Sequence, residues 1–207
     1  MTQASEISKI VLPPRVNLFS KAQPRALWAV GNAQILQRPL LGIVSARQID
    51  PDLALMSDEL VKQLAILNQV AFIGGWHSEL EKQSLRLLLS HEAFLAVCLA
   101  KALDRFKPSP ELKELVSQNK ALLLSHCTPN AKRISRGASV RRNELVIELA
   151  AVLLVLSAPE GSESLNLARA ALDAGKPVFT LAHHMNRKLL DCSASVASFD
   201  SISTALR

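Results

Sequence analysis

A chain of 207 residues is long enough for one sizeable domain, and 49% hydrophobic against 20% charged residues excludes a disordered chain. The net charge of +6 favours a polyanionic partner, whereas an aromatic share of 4% argues against an extended platform for stacking bases. Three widely spaced cysteines argue against a disulfide framework.

The first ten residues lack the basic start, apolar centre and cleavage site of a signal peptide. No apolar run approaches the roughly 18 residues that a membrane-spanning helix needs. We therefore expect a cytoplasmic protein without a membrane partner.

Residues 1–38 are predicted to be irregular, because Pro13, Pro14 and Pro24 interrupt any periodic pattern. The segment around Trp28 is expected to form an N-terminal arm that packs on the core, with a turn at Gly31-Asn32. Residues 39–207 are predicted to form a single domain.

From residue 39 onward, short apolar runs alternate with amphipathic segments. The runs predict strands at 40–44, 70–73, 93–100, 121–125, 151–158 and 177–182, with a further small strand near 194–197. Helices are predicted at 52–68, 78–90, 111–118, 142–149 and 162–174, and two short helices near the end. Continuous apolar strands separated by helices are typical of a parallel sheet covered on both faces, so the prediction is a doubly wound α/β fold.

Ligands of such folds bind beyond the carboxyl ends of the strands. The turn that follows the fourth major strand is rich in cations: Lys132, Arg133, Arg136, Arg141 and Arg142. Such a loop can hold phosphates, although a solvated surface loop has the same composition.

Within these turns, Arg142 and Asn143 are the first candidates, because a guanidinium clamps a phosphate and an amide reaches a base edge. The alternative is that Asn143 caps a helix and Arg142 pairs with an acid. Arg47, which follows the first major strand, either binds phosphate or forms a surface ion pair. Gly74-Gly75 permits close approach of a ligand to the backbone, or a tight turn.

Ser162 and Ser164 lie at a predicted helix start, where they either bind phosphate or cap the helix. Trp76, next to His77, either stacks on a base or covers the edge of the core.

Five residues invite a zinc hypothesis: His126, Cys127, His183, His184 and Cys192. Their spacing matches no ligand pattern, so neither a metal nor a cofactor is predicted. No Walker loop, Gly-x-Ser-x-Gly elbow or placed carboxylate supports catalysis, so we do not predict an enzyme.

Three stretches together resemble the DNA-processing protein A family over residues 26–207. They are LWAVGNAQILQRPLLGIVSAR, the segment from VRRNELVIEL to the SESLNLA turn, and HHMNRKLLD. The resemblance implies a Rossmann-like domain that binds single-stranded DNA, loads a recombinase in natural transformation and forms a homodimer.

The resemblance and the loop positions together predict one nucleic-acid or phosphate site. Its residues are Ser45, Arg47, Gly74, Gly75, Lys132, Arg133, Arg136, Arg141, Arg142, Asn143, Ser162 and Ser164. The chain departs from the family in three places: the first loop reads Ser45-Ala46-Arg47 instead of Gly-Ser-Arg, the second lacks its arginine, third glycine and aspartate, and Val140 replaces an aromatic residue.

Two alternatives stay open within the same superfamily. One is a sensor that binds a nucleotide or a nucleotide derivative. The other is an enzyme like the lysine-decarboxylase-like phosphoribohydrolases, although the turn at Pro159–Ser164 lacks the glycine pair of their Pro-Gly-Gly-x-Gly-Thr loop.

Overall fold

The protein is described by a computed structural model that covers residues 6–11, 26–130 and 136–207. Within these ranges, nine strands form one sheet. They are β1 (Ser8–Val11), β2 (Ala26–Gly31), β3 (Leu40–Val44), β4 (Ala71–Gly74), β5 (Phe94–Leu99), β6 (Ala121–Ser125), β7 (Val152–Val155), β8 (Val178–Thr180) and β9 (Ser195–Val196).

The strand order is β1-β2-β6-β5-β4-β3-β7-β8-β9. The strands from β6 to β9 in this order run parallel, and β2 and β1 are added antiparallel, each to its neighbour. The chain builds outward from β3 in one direction through β4, β5 and β6, and in the other through β7, β8 and β9. The order therefore reverses between β3 and β7, where such folds place their ligand crevice.

Seven helices of the described ranges cover the sheet. They are α1 (Pro51–Leu64), α2 (Glu79–Ser90), α3 (Pro110–Ser117), α4 (Arg136–Leu149), α5 (Glu163–Asp173), α6 (Arg187–Leu190) and α7 (Phe199–Ala205). Apolar residues of α1, α2, α3 and α7 share one core cluster, and those of α4, α5 and α6 share another. Alternate residues of one strand enter different clusters, as Leu41 and Leu40 of β3 do, so helices cover both faces. The prediction of a doubly wound, mainly parallel Rossmann-like α/β fold is confirmed.

The central strands lie where the apolar runs predict them. β3 and β6 match residue for residue, and every residue of both strands is buried. A strand buried on both faces reads as a continuous apolar run, which is why its bounds are visible in the sequence. No helix of the described residues is both long enough and apolar enough to cross a bilayer.

The main difference concerns α4, which begins at Arg136 and not at the predicted residue 142. Arg141 and Arg142 therefore lie within a helix, and Asn143 is not its cap. The buried face of α4 follows helical spacing through Ala138, Arg142, Leu145 and Leu149. A cation occupies one position of this apolar face, so the first turns have no recognisable hydrophobic pattern.

Regular structure is also present before residue 39, where an irregular segment is predicted. β1 and β2 extend the sheet, and a 3-10 turn at Ala33–Gln37 follows. Trp28 is only partly buried. Leu27 and Ala29, which are both buried, make the main packing contact between β2 and the core. Gly31 has a φ of +103°, and a side chain there would collide with the carbonyl of Ala121. The division into an arm and a domain at residue 38 stays a prediction.

Candidate functional site

A cleft of roughly 590 Å³ opens at the carboxyl ends of β3, β4 and β7, next to the reversal of strand order. Its walls come from the loop after β3, the loop before α2, one side of α4 and the start of α5. The lining residues are Val44, Ser45, Ala46, Arg47, His77, Ser78, Glu81, Ser139, Val140, Arg142, Asn143, Ser162, Glu163, Ser164 and Leu167.

Arg142 is the buried cation of this cleft, with 7% of its surface exposed. Its Nε and one terminal nitrogen both donate to Oδ1 of Asn143, at 3.0 and 2.8 Å. Gly75 lies against the guanidinium so closely that an added Cβ would be 2.5 Å from Nε. Burial lowers the pKa of Arg142, and the nearby Glu81 carboxylate opposes that shift. Asn143 and Gly75 thus orient the arginine at the edge of the cleft.

Glu81 is a buried carboxylate beneath the cleft, and it joins two loops. Its Oε1 accepts a hydrogen bond from the backbone N–H of Ser45, at 2.9 Å. Its Oε2 accepts from the N–H groups of His77 and Ser78, at 2.6 and 3.3 Å. Burial raises the pKa of Glu81, while these N–H groups and Arg142 oppose the shift. Glu81 therefore fixes the loop after β3 against the start of α2.

Arg47 and His77 form the outer wall. A terminal nitrogen of Arg47 lies 3.3 Å from Nε2 of His77. Partial burial lowers the pKa of His77, and the positive charges of Arg142, Arg47 and Lys82 lower it further. The imidazole is therefore neutral at pH 7 and can accept a hydrogen bond from Arg47, which holds that guanidinium at the rim.

Ser162 and Ser164 form the wall that comes from α5. Oγ of Ser162 accepts from the N–H of Leu165 at 3.2 Å, as a helix cap does. Oγ of Ser164 donates to the carbonyl of Ser157 at 2.8 Å and lies 3.0 Å from Oγ of Ser162. Both hydroxyls thus have a structural partner. The first turn of α5, where N–H groups lack intrahelical acceptors, lines the cleft through Glu163 and Ser164.

The structure brings half of the predicted site residues together in this cleft: Ser45, Arg47, Arg142, Asn143, Ser162 and Ser164. Gly75 lies against Arg142, and Gly74 lies under Trp76. Arg141 is exposed on α4 and does not line the cleft, and Arg136 begins that helix. Lys132 and Arg133 lie outside the described residues.

Trp76 is buried in the core and not displayed in the cleft. It is 7% exposed, has a φ of +52°, and packs its ring against Gly74. Its Nε1 is buried without a hydrogen-bond partner among the described residues. In this conformation Trp76 covers the edge of the core, as the second of its two predicted roles requires.

The five residues of the zinc hypothesis do not assemble in the described part of the chain. The Sγ atom of Cys192 accepts a hydrogen bond from Nε of Arg169. His183 and His184 instead lie beside Asp50, and one possible ligand atom from each of these three residues lies within 4.8 Å of the other two. Nε2 of His183 is 3.3 Å from Oδ1 of Asp50, and its Nδ1 faces the N–H of Met185. Because that N–H can only donate, the ring proton is on Nε2 and points at the carboxylate. This tautomer suits a hydrogen-bonded pair that ties α1 to the loop after β8.

Sequence reasoning missed Glu81 and the role of His77 beside Arg47. The pattern Ser78-x-x-Glu81 is a visible capping box, and it marks the start of α2 correctly. The bond from Glu81 to Ser45 spans 36 residues, however, and no local pattern reports it.

Comparison with known proteins supports the same fold over almost the whole chain. DNA processing protein A from Streptococcus pneumoniae matches with a TM-score of 0.78 and 18% identity, covering 98% of this chain and 75% of that one. DNA processing protein A from Helicobacter pylori, described by its single-stranded DNA binding mode, matches with a TM-score of 0.77 and 22% identity, covering 100% and 98%. The molybdenum cofactor carrier protein of Chlamydomonas reinhardtii shares the fold less closely, with a TM-score of 0.55 and 16% identity, covering 82% and 98%.

At the level of sequence, no curated protein matches the chain significantly. The family model of the DNA recombination-mediator protein A, in contrast, matches residues 10–199. The resemblance drawn from the loops is thereby confirmed, and the chain belongs to the DNA recombination-mediator protein A family.

Proposed function

We propose that this protein binds single-stranded DNA through the cleft between β3, β4 and β7, and serves in DNA processing and recombination. The observation that carries the proposal is Arg142, a cation buried within an otherwise apolar helix face and turned to the cleft. Burying a guanidinium costs free energy unless a negatively charged partner offsets the desolvation, and no carboxylate forms a hydrogen bond with Arg142 among the described residues. A ligand phosphate is the group that would complete its pairing.

The remaining groups of the cleft fit a phosphate backbone better than they fit bases. Arg47 and the start of α5 both line the cleft, so a phosphate that contacts both would meet a cation and the start of a helix. The ring of Trp76 is enclosed in the core, and Val140 lines the cleft where an aromatic residue would stack. Affinity would therefore come mainly from phosphates and depend strongly on salt.

One relative with this fold supports the choice of ligand. The Helicobacter pylori protein is known for a single-stranded DNA binding mode, and the net charge of +6 favours a polyanion. A homodimer and a recombinase partner follow from the family resemblance, as does a role in natural transformation, and these stay predictions. The exposed Arg141, and the cations Lys132, Arg133 and Arg136, are proposed to guide the strand toward the cleft.

The test is a fluorescence-anisotropy titration of labelled oligo-dT and of a matched duplex, at several salt concentrations. The wild type should bind the single strand more tightly than the duplex. Arg142→Ala and Arg47→Ala should each weaken binding and make the salt dependence shallower by about 0.7 for each phosphate that the variant no longer neutralises. Arg142→Lys retains the charge but loses the planar fork, so it should recover only part of the affinity.

Arg86→Ala is the matched control, because it removes one exposed cation from α2 away from the cleft lining. Equal binding curves for the wild type, Arg47→Ala and Arg142→Ala would reject this site. Absence of binding at low salt would reject the function and favour a nucleotide-derivative ligand, for which a thermal-shift screen is the next measurement.

A further inference from the structure

Three backbone N–H groups converge beneath the cleft, and they belong to the two loops that follow β3 and β4. They are those of Ser45, His77 and Ser78. Clusters of N–H groups at the carboxyl ends of parallel strands and at helix starts are general anion-binding sites, and phosphates commonly fill them. In this protein the anion comes from the chain itself, since all three groups donate to the carboxylate of Glu81.

Glu81 fills this position completely. Both of its oxygens are acceptors, and it is 7% exposed. The positive charge of Arg142 acts on it from the side of the cleft. A carboxylate that accepts several N–H bonds next to a cation is bound strongly. A ligand phosphate would have to displace it to reach the same N–H groups.

We infer that Glu81 occupies the place of a ligand phosphate, and thereby makes the cleft selective for phosphodiesters over phosphomonoesters. This inference rests on the cleft identified in the proposed function. A terminal phosphate carries between about one and a half and two negative charges at pH 7, and three acceptor oxygens. It needs more donors than a diester does, and here the strongest set of donors is already used.

The charge balance acts in the same direction. The cationic side chains left for a ligand are Arg47 and Arg142, and the start of α5 also lines the cleft. A diester carries a single charge, which these two cations can neutralise. A monoester would bring its second charge toward the carboxylates of Glu81 and Glu163, both of which line the cleft.

The test is calorimetric titration of the intact protein with thymidine 5′-monophosphate, comparing the wild type with Glu81→Gln. The substitution retains the shape of the side chain, removes its charge and turns an NH2 group toward the donors. The wild type should bind the monophosphate at best weakly, in the millimolar range. Glu81→Gln should bind it at least about tenfold more tightly, because the buried negative charge that repels the second charge of a monoester is removed.

Two variants separate the anion from its structural role. Glu79→Gln removes an equal charge from an exposed position of the same helix turn. Ser78→Ala removes the capping hydroxyl but leaves the Glu81 carboxylate in place. Neither variant should gain affinity for the monophosphate, although Ser78→Ala should lower the melting temperature.

Tight monophosphate binding by the wild type that Arg142→Ala abolishes would overturn the inference, and this comparison needs no folded Glu81 variant. An unchanged affinity in a folded Glu81→Gln would overturn it as well. Binding of oligo-dT by the wild type tests the proposed function independently of the role of Glu81. If that binding fails while Glu81→Gln gains monophosphate, the proposed function is wrong and the role of Glu81 stands.

Discussion

At the scale of single residues, the cleft combines two arginines with a histidine that is neutral at pH 7. The pKa of His77 lies below its ordinary 6.5, first because of burial and then because Arg142, Arg47 and Lys82 repel a proton. As the pH falls below 6.5, the unfolded chain takes up this proton before the folded protein does. The contribution of neutral His77 to the free energy of unfolding is therefore fully present above the ordinary pKa of 6.5. It is lost as the pH falls through the lowered pKa of the folded protein.

Protonation of His77 should have the opposite effect on binding, since it adds a positive charge beside Arg47. We expect the affinity for oligo-dT to rise as the pH falls below 6.5 at constant ionic strength, and His77→Ala to reduce this rise. The carboxyl group of Glu81 is the same in both proteins, so the difference between the two pH profiles isolates His77. His91→Ala, an exposed histidine at the end of α2, is the control. A pH profile that is identical in His77→Ala and the wild type would contradict the assignment.

Cleft residues that directly follow a strand could be predicted from the sequence. Ser45 and Arg47 come after β3, and the topology alone brings them to the ligand-binding edge. Glu81 was not predictable, because its importance arises from a contact between two loops that are distant in sequence.

At the scale of elements, α4 brings Arg142 into position, and its packing against the turn after β4 depends on Gly75. Gly75→Ala would place a Cβ 2.5 Å from Nε of Arg142 and force the guanidinium away from Asn143. Because a flexible side chain yields more easily than backbone, the melting temperature should change little. The affinity for single-stranded DNA should fall toward that of Arg142→Ala.

Gly175→Ala is the matched counterpart. Gly175 ends α5 with a φ of +74° and has open space around it. Its replacement should cost about 1 kcal/mol of stability through backbone strain, and leave DNA binding unchanged. If Gly75→Ala binds like the wild type, Arg142 is not oriented by the turn after β4.

The start of α4 shows where sequence patterns stop being informative at this scale. Strands such as β3 and β6 appear as apolar runs because hydrophobic burial alone determines them. In α4 the guanidinium of Arg142 takes the place of an apolar side chain on the buried face, so the first turns resemble a polar loop. A buried cation that lines the cleft thus hides the hydrophobic pattern of its own helix.

At the scale of the whole molecule, β2 connects the N-terminal segment to the central sheet. It pairs with β6 from Trp28 to Gly31, and it places Leu27 and Ala29 in the core cluster shared with α4 and α5. The proposed division at residue 38 separates these residues from the domain that they help to bury. The consequence can be tested with a chain that begins at residue 39.

We expect residues 39–207 alone to melt at a lower temperature and to self-associate. Loss of β2 leaves the N–H and carbonyl groups of β6 unpaired at an open edge and uncovers apolar side chains such as Leu122 and Leu124. A chain beginning at residue 12 is the matched control, because β1 is the one described strand that it loses, and three of the four residues of β1 are exposed. Light scattering after size exclusion, together with thermal melting, compares the two truncations with the full chain. A fragment of residues 39–207 that is monomeric and melts cooperatively would show that the arm is an addition to an independent domain. If that fragment aggregates while the chain of residues 12–207 folds well, β2 is a structural part of the sheet that holds the cleft.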